Sequence, residues 1–529
     1  MIIYFLAALL SLFSASVMAY ISMATSIGPW ISPTLLLLLY ALYGLCRQKP
    51  TVSSLLGITS CASIGGIAAT ACGFSFPAIF FLDSHLYASL VANPYYYFLL
   101  VGNLVGIASF FGMQIAYFFE NSVLLNNKYQ FPVGQMIFTM AAKGHNAFQT
   151  VQLWAGGLFF TLWVLGQKGT RYGKIPAIFT TKVYDFGLVT IPAFRFDFTV
   201  LPMLVSIGFV TGHVIAKPLF VGAFARLCFL NPLHNHFFAA VSLSEFLLAF
   251  CAGMVLCGAL QAIFLVPNAV KKFIESVSAK KYAISKNNAQ GTFEEYGLIA
   301  VGFGLIFMAA CYHLRLSLLV QVYVLMATFL CVYQMIVIGG TMGIAPLGRF
   351  ATFVMLPALF LFSLDYVQLI CIATFVEIAG GVAVDILFAR KAAFLAGISK
   401  KYTMRMQYLG ILMASVFCAA VFLLLSAKFQ IGSSVLGAYK AQARALLIHA
   451  HTFNYHMLLI GICAGFVLGK CKINPSMVLG GILMPIDYSF ALISGGLLAQ
   501  FFSEKDQWVP FASAIFAANS LWMLVQGFC

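Results

Sequence analysis

Long apolar runs, broken by short polar stretches, cover the chain from end to end. Runs near the length needed to span a bilayer, about 20 residues, fall at 2–23, 31–46, 53–82, 96–119, 147–166, 200–225, 237–266, 297–313, 316–338, 350–364, 366–389, 406–427, 452–469, 476–501 and 508–526. They do not alternate with period two, which excludes a membrane β-barrel. Several are long or interrupted and divide readily, so the pattern predicts about 14 to 16 transmembrane helices. The expected fold class is an all-α polytopic integral membrane protein with broken or re-entrant segments. The first run, MIIYFLAALLSLFSASVMAYISMA, lacks a positive leading region, and another apolar run follows it directly. It reads as a retained helix rather than a cleaved signal peptide.

The breaks add a division of the chain. The longest, 167–199 and 267–296, are too short for a soluble domain. The second carries Lys271, Lys272, Lys280, Lys281 and Lys286 near the midpoint and reads as a cytoplasmic linker. Two stretches, IGFVTGHVIAK (207–217) and IGICAGFVLGK (460–470), match at Ile, Gly, Gly, Val and Lys with an offset near half the chain. The expectation is two pseudo-repeated halves, 1–266 and 297–529, joined by 267–296. Parity adds one constraint. If the basic breaks 167–199, 267–296 and 390–405 are cytoplasmic, the count of runs leaves Arg47 and Lys49 outside. Either 53–82 is two segments, or QFPVGQMIFTMAAKG (130–144) enters the membrane as a re-entrant piece. The second reading is preferred, because Pro132 and Gly134 break that backbone.

Composition sharpens this picture. Of 529 residues, 62% are hydrophobic and 8% are charged, against about a quarter charged in a soluble domain. The net charge of +15 sits mostly in the breaks, the pattern of cytoplasmic loops rather than of a nucleic-acid site. The thirteen cysteines lie mainly inside apolar runs and form no CxxC pair, so neither a disulfide frame nor a metal cage is expected.

Only fourteen residues are acidic, and five of them stand within apolar runs or at their edges: Glu245, Asp365, Glu377, Asp385 and Asp487. Asp83 and Glu120 are placed at the membrane interface. An ionisable side chain costs at least about 2.5 kcal/mol at a helix centre, so such groups usually face a cavity and serve a pathway. Glu377 and Asp385 lie eight residues apart, within about 80 degrees and about 12 Å of each other on one helix. Asp385, Glu377 and Glu245 are therefore candidates for proton coupling. The competing readings are an Asp385–Arg390 anchor and, for Glu245, a helix–helix hydrogen bond. GGTMGIAPLGR (339–349) is too rich in Gly to stay helical throughout, and an unwound segment offers carbonyls and amides to a ligand. Gly340, Thr341, Gly343, Pro346 and Arg349 become substrate-pathway candidates, with Phe131, Pro132 and Gly134, with Phe76 and Pro77 of CGFSFPAIFF, and with Asp487. The histidines of HAHTFNYH (449–456) have poor spacing for a metal site. No catalytic motif has a usable context.

At these motifs the chain resembles the oligopeptide transporter (OPT) family, which includes the yellow-stripe metal-chelate carriers, and its bacterial branch in particular. SLLGITSCASIGGIAATACGFSFPAIFFL (54–82), YQFPVGQMIFTMAAKG (129–144), the stretch from Phe196 to Pro232, and 456–502 with INPSMVLGGILMP carry the likeness over nearly the whole chain. In EIAGGVAVDILFARKAAFLAGISKK (377–401), Ile378, Ala379, Gly380 and Asp385 match the family pattern, and Gly381 stands where that pattern has an acid. The resemblance implies 16 helices in two halves and a proton-driven importer of small peptides or metal chelates. The expected partners are such a substrate, protons and membrane lipids, with no cofactor, metal or nucleic acid. The expected location is the cell membrane. The rival readings are a passive channel or lipid scramblase and, further off, a membrane-embedded transferase.

Overall fold

The computed structural model describes residues 2–24, 30–48, 50–124, 131–143, 147–168, 178–182, 195–199, 202–238, 290–342, 347–433, 436–448, 455–471, 486–502 and 507–512, with isolated residues between and beyond them. The chain forms two compact units. One holds Met1–Leu36, Pro50–Ala142 and Val255–Phe453; the other holds Leu37–Lys49, Lys143–Met254 and Asn454–Cys529. Each unit thus draws on both halves of the sequence.

In chain order the first unit has α1 (Ile2–Ala24), the start of α2 (Ser32–Leu45), α3 (Val52–Ser75), α4 (Ala78–Leu82), α5 (Ser84–Ala92), α6 (Pro94–Leu124) and α7 (Pro132–Lys143). The second takes α8 (Ala147–Lys168), the antiparallel pair β1 (Ile178–Lys182) and β2 (Arg195–Thr199), α9 (Pro202–Thr211), α10 (His213–Ala225) and α11 (Asn231–Phe237). The first resumes with α12 (Gln290–His313), α13 (Leu318–Met342), α14 (Leu347–Leu361), α15 (Tyr366–Leu395), α16 (Lys400–Lys428) and α17 (Tyr439–Ile448). The second ends with α18 (Tyr455–Lys470) and α19 (Ile486–Phe501). Six described helices are long and apolar enough to cross a membrane: Ile3–Ala24, Val52–Leu82, Pro94–Asn121, Leu318–Gly340, Tyr366–Leu395 and Lys400–Lys428. The chain is a helical, multi-pass membrane protein.

Two helices form the core of the first unit. Every residue of α3 from Ser54 to Ser75 and of α15 from Leu369 to Phe388 is buried. Both are apolar all round, as a helix enclosed on every side must be. Their small residues let neighbours approach closely, which is how helices associate where lipid removes the hydrophobic drive. A Cβ on Gly112 of α6 would lie 2.1 Å from the Ala379 carbonyl oxygen of α15. Paired contacts fix the directions. Ser75 meets Glu377 and Ser63 meets Asp385, so α3 and α15 are antiparallel. Gly57 meets Tyr402 and Cys61 meets Gly410, so α16 runs parallel to α3. α3 therefore begins at the end of the unit where α16 begins with Lys400 and where α15 reaches Arg390. Pro50 and Thr51, just before α3, lie at that same end, and 53–82 is one passage with a bend at Phe76–Pro77.

Other runs differ from expectation. α2, α7 and α14 have 14, 12 and 15 residues. At 1.5 Å per residue they measure about 18 to 23 Å, short of the roughly 30 Å hydrocarbon core. The run 200–225 divides at Gly212, whose φ of 65° suits glycine and ends the helical path. The break 167–199 carries the β1–β2 hairpin, and the break after 427 carries α17.

The second unit is held by glycines in reciprocal pairs. A Cβ on Gly208 would lie 2.1 Å from the Leu492 carbonyl oxygen, and one on Gly495 would lie 2.0 Å from that of Val205. Gly222 and Gly481 face Val478 and Leu219 in the same way, as do Gly461 and Gly253 with Phe250 and Leu458. Gly208 and Gly461 occupy the same place in the two repeat stretches. Each packs on a glycine from the opposite half of the sequence.

Candidate functional site

Asp385 sits near the middle of α15 and is 2% exposed. Ser63 Oγ donates to its Oδ2 at 2.5 Å, and Ser32 Oγ donates to its Oδ1 at 3.2 Å. Ser63 comes from α3. Ser32 is the first residue of α2, so the carboxyl group lies against the start of a helix, where backbone N–H groups are unsatisfied and favour an acceptor. Among the described residues no cation reaches it. Arg390 instead pairs with Glu120, so the Asp385–Arg390 anchor is not the arrangement found.

Glu377, two turns earlier, is fully buried and has a different environment. Arg444 Nη2 lies 2.8 Å from its Oε1, and Ser75 donates to its Oε2. Arg444 Nη1 donates to the same Ser75 hydroxyl, which closes a three-membered network, and Nη2 also points to the Gly348 carbonyl oxygen at 3.3 Å. Arg444 is 6% exposed and belongs to α17. Sequence reasoning passed over it because YKAQARALLI lies in a break between apolar runs. The available signal was the carboxylate itself, since a buried charge requires a partner.

Helix ends gather around this part of α15. α13 runs parallel to α15, with Met335 against Gly380 and Gly339 against Val384, and ends at Met342. α14 starts close by, with Leu347 against Gly381 and Gly348 beside Glu377. α3 gives way to α4 at Phe76 and Pro77, just past Ser75; Phe76 is fully buried and packs edge-on to Tyr97. Phe131 is fully buried at φ 50°, donates its N–H to the Gly340 carbonyl oxygen at 2.9 Å, and meets Phe388 edge-on. α7 starts there, and Gly134 packs on the Phe388 carbonyl oxygen. The end of α6 lies near the same turn of α15, where Lys391 Nζ donates to the Leu124 carbonyl oxygen at 3.4 Å. Thus Gly340, Phe131 and Gly134 gather near Phe388 of α15, with Thr341 and Pro132 on the adjoining backbone, and Phe76 and Pro77 follow Ser75 on the Glu377 side. Arg349 is exposed, one residue past Gly348. Asp487 lies on α19 in the other unit. Glu245, Gly343 and Pro346 lie outside the described residues.

A family profile described as OPT oligopeptide transporter protein matches residues 2–529. The chain belongs to the OPT oligopeptide transporter family. No curated protein matches it.

Within this OPT chain, Gly381 has no room for the acid of the family pattern. A Cβ there would already lie 2.9 Å from Ile67 and 3.4 Å from Leu347. Glu120, expected at the interface, is 3% exposed. Arg390 reaches its Oε1 through Nε and Nη2, each at 2.7 Å, while Lys400 Nζ lies 2.5 Å from Oε2 and Arg390 also donates to Thr403. A carboxylate held by two cations and packed between α6, α15 and α16 can be buried inside the protein, at the end of the unit where α16 begins. Among the described residues of this OPT member, no three His, Cys, Asp or Glu side chains come together as metal ligands.

Proposed function

We propose that this OPT member is a secondary active importer that carries a short peptide, a peptide-like compound or a metal chelate inward with protons. The substrate binds where helix ends converge on the middle of α15, and Asp385 carries the coupled proton. The observation that supports this reading is the placement of Asp385. It is a buried carboxyl group held, among the described residues, by two serine hydroxyls, beside the start of α2, so it can gain or lose a proton without breaking an ion pair. Intramembrane carboxyl groups in such settings serve proton relays. The basic end of the first unit faces the cytoplasm by the positive-inside rule. Glu377 is tied to Arg444 and positions the helix ends instead. Purified protein in liposomes would be given labelled tripeptides, tetrapeptides and iron, nickel or copper chelates under an imposed pH gradient. Accumulation that collapses with the gradient is expected. Uptake at the same rate with and without the gradient overturns the coupling, and equilibration without accumulation marks a passive channel.

A further inference from the structure

We propose that Lys440 and Arg444 form a subsite for a carboxylate group of the transported substrate. This rests on the reading that substrate binds among the helix ends around α15. Lys440 and Arg444 are four residues apart on α17, and so share a face of that helix. Arg444 is committed to Glu377, Ser75 and Gly348. Lys440 has no such commitment. Its Nζ lies 3.5 Å over the ring of Phe74, and among the described residues it has neither a hydrogen-bond acceptor nor a carboxylate. It is half-buried, and it feels the charges of both Glu377 and Arg444. The cluster therefore holds two cations and one carboxylate.

An ammonium placed inside a protein calls for an anion or several acceptors, and a ring face answers only part of that need. One carboxylate would balance the cluster and give Lys440 charge-assisted hydrogen bonds. The surroundings suit such a guest. Gly348, at the start of α14, leaves room for a small group against Glu377 and Arg444: a Cβ there would make ordinary contact, 3.5 Å from one and 3.8 Å from the other. Phe74 precedes Ser75 and the α3–α4 bend, so the flat ring and the two cations lie together at one of the helix ends. A ligand entering with its carboxylate toward Lys440 would meet the Glu377–Arg444 pair alongside.

The test is a thermal-shift titration of the purified full-length chain with citrate, trialanine and trialanine C-terminal amide, at fixed ionic strength. At least one carboxylate should raise the melting temperature with concentration, while the amide raises it less than trialanine. Lys440→Met should weaken that binding at least about 10-fold and should raise the melting temperature of the unliganded protein, because it removes an uncompensated charge. Lys440→Arg should keep the binding. No stabilisation by either carboxylate at millimolar concentration overturns the subsite. So does unchanged binding in Lys440→Met, a lower unliganded melting temperature in that variant, or equal stabilisation by chloride. Carboxylate binding that depends on Lys440 in a protein whose uptake ignores the pH gradient would leave the subsite standing and remove proton coupling.

Discussion

Asp385 and Glu377 share one helix, one partner helix and nearly the same burial, yet they are held in opposite ways. Each accepts a hydrogen bond from a serine of α3. Glu377 adds an arginine, and Asp385 adds a second serine. A charge can be made permanent by giving it a counter-charge, or left exchangeable by giving it only dipoles. The α15 helix does both within about 12 Å. On the proposed reading, the difference separates a fixed structural pair from a group free to change protonation.

Breaking the Glu377 pair should have the largest effect on stability. Arg444→Met or Glu377→Gln alone leaves one charge buried without its partner, at a cost of about 3–5 kcal/mol. The double variant should recover most of that loss, as read by denaturant or thermal unfolding in detergent. Equal destabilisation by the double and single variants would mean that the pair is not the unit. Gly112→Val comes next. It forces α6 away from the Ala379 carbonyl oxygen, between the two carboxyl groups, and should cost about 1–3 kcal/mol. Ser63→Ala should cost about 1–2 kcal/mol through one lost hydrogen bond, and should shift the pH at which uptake is half-maximal. Asp385→Asn should have the smallest effect on stability, within about 1 kcal/mol, because its amide still accepts from one serine and donates to the other. It should have the largest effect on transport. Uptake driven by a pH gradient should fall at least about 10-fold and the remainder should ignore pH, if one proton carries the coupling. An Asp385→Asn protein that still accumulates substrate in a pH-dependent way would assign the proton elsewhere.

Hydropathy alone gave the helical, multi-pass character, because 62% apolar composition in long runs admits no other arrangement. It also marked Glu377 and Asp385, since few carboxyl groups stand inside apolar runs. Their partners were hidden for different reasons. Ser63 and Ser75 are two of many small residues in α3, and only the antiparallel register against α15 selects them. Arg444 lies in a stretch too polar to count as a span, yet it is buried through tertiary packing. Ser32 opens what looked like a full crossing, and α2 begins beside Asp385 instead. The ion pairs of Glu120 were hidden because Arg390 and Lys400 stand far from it in sequence and only the fold brings them together. Local pattern reports depth; it does not report which helix lies across the gap.

The crossed glycine pairs of the second unit also carry a consequence for how the protein is made. α9 leaves the ribosome long before α19, the helix whose Gly495 closes on Gly208. At about 5–20 residues per second, the earlier helix waits on the order of tens of seconds for its partner. During that time its bare glycine face is open to any other helix in the membrane. A chain stopped before α18 would leave every one of these crossings half-built, so truncation near the C-terminus should disable a region whose sequence was completed in the first half.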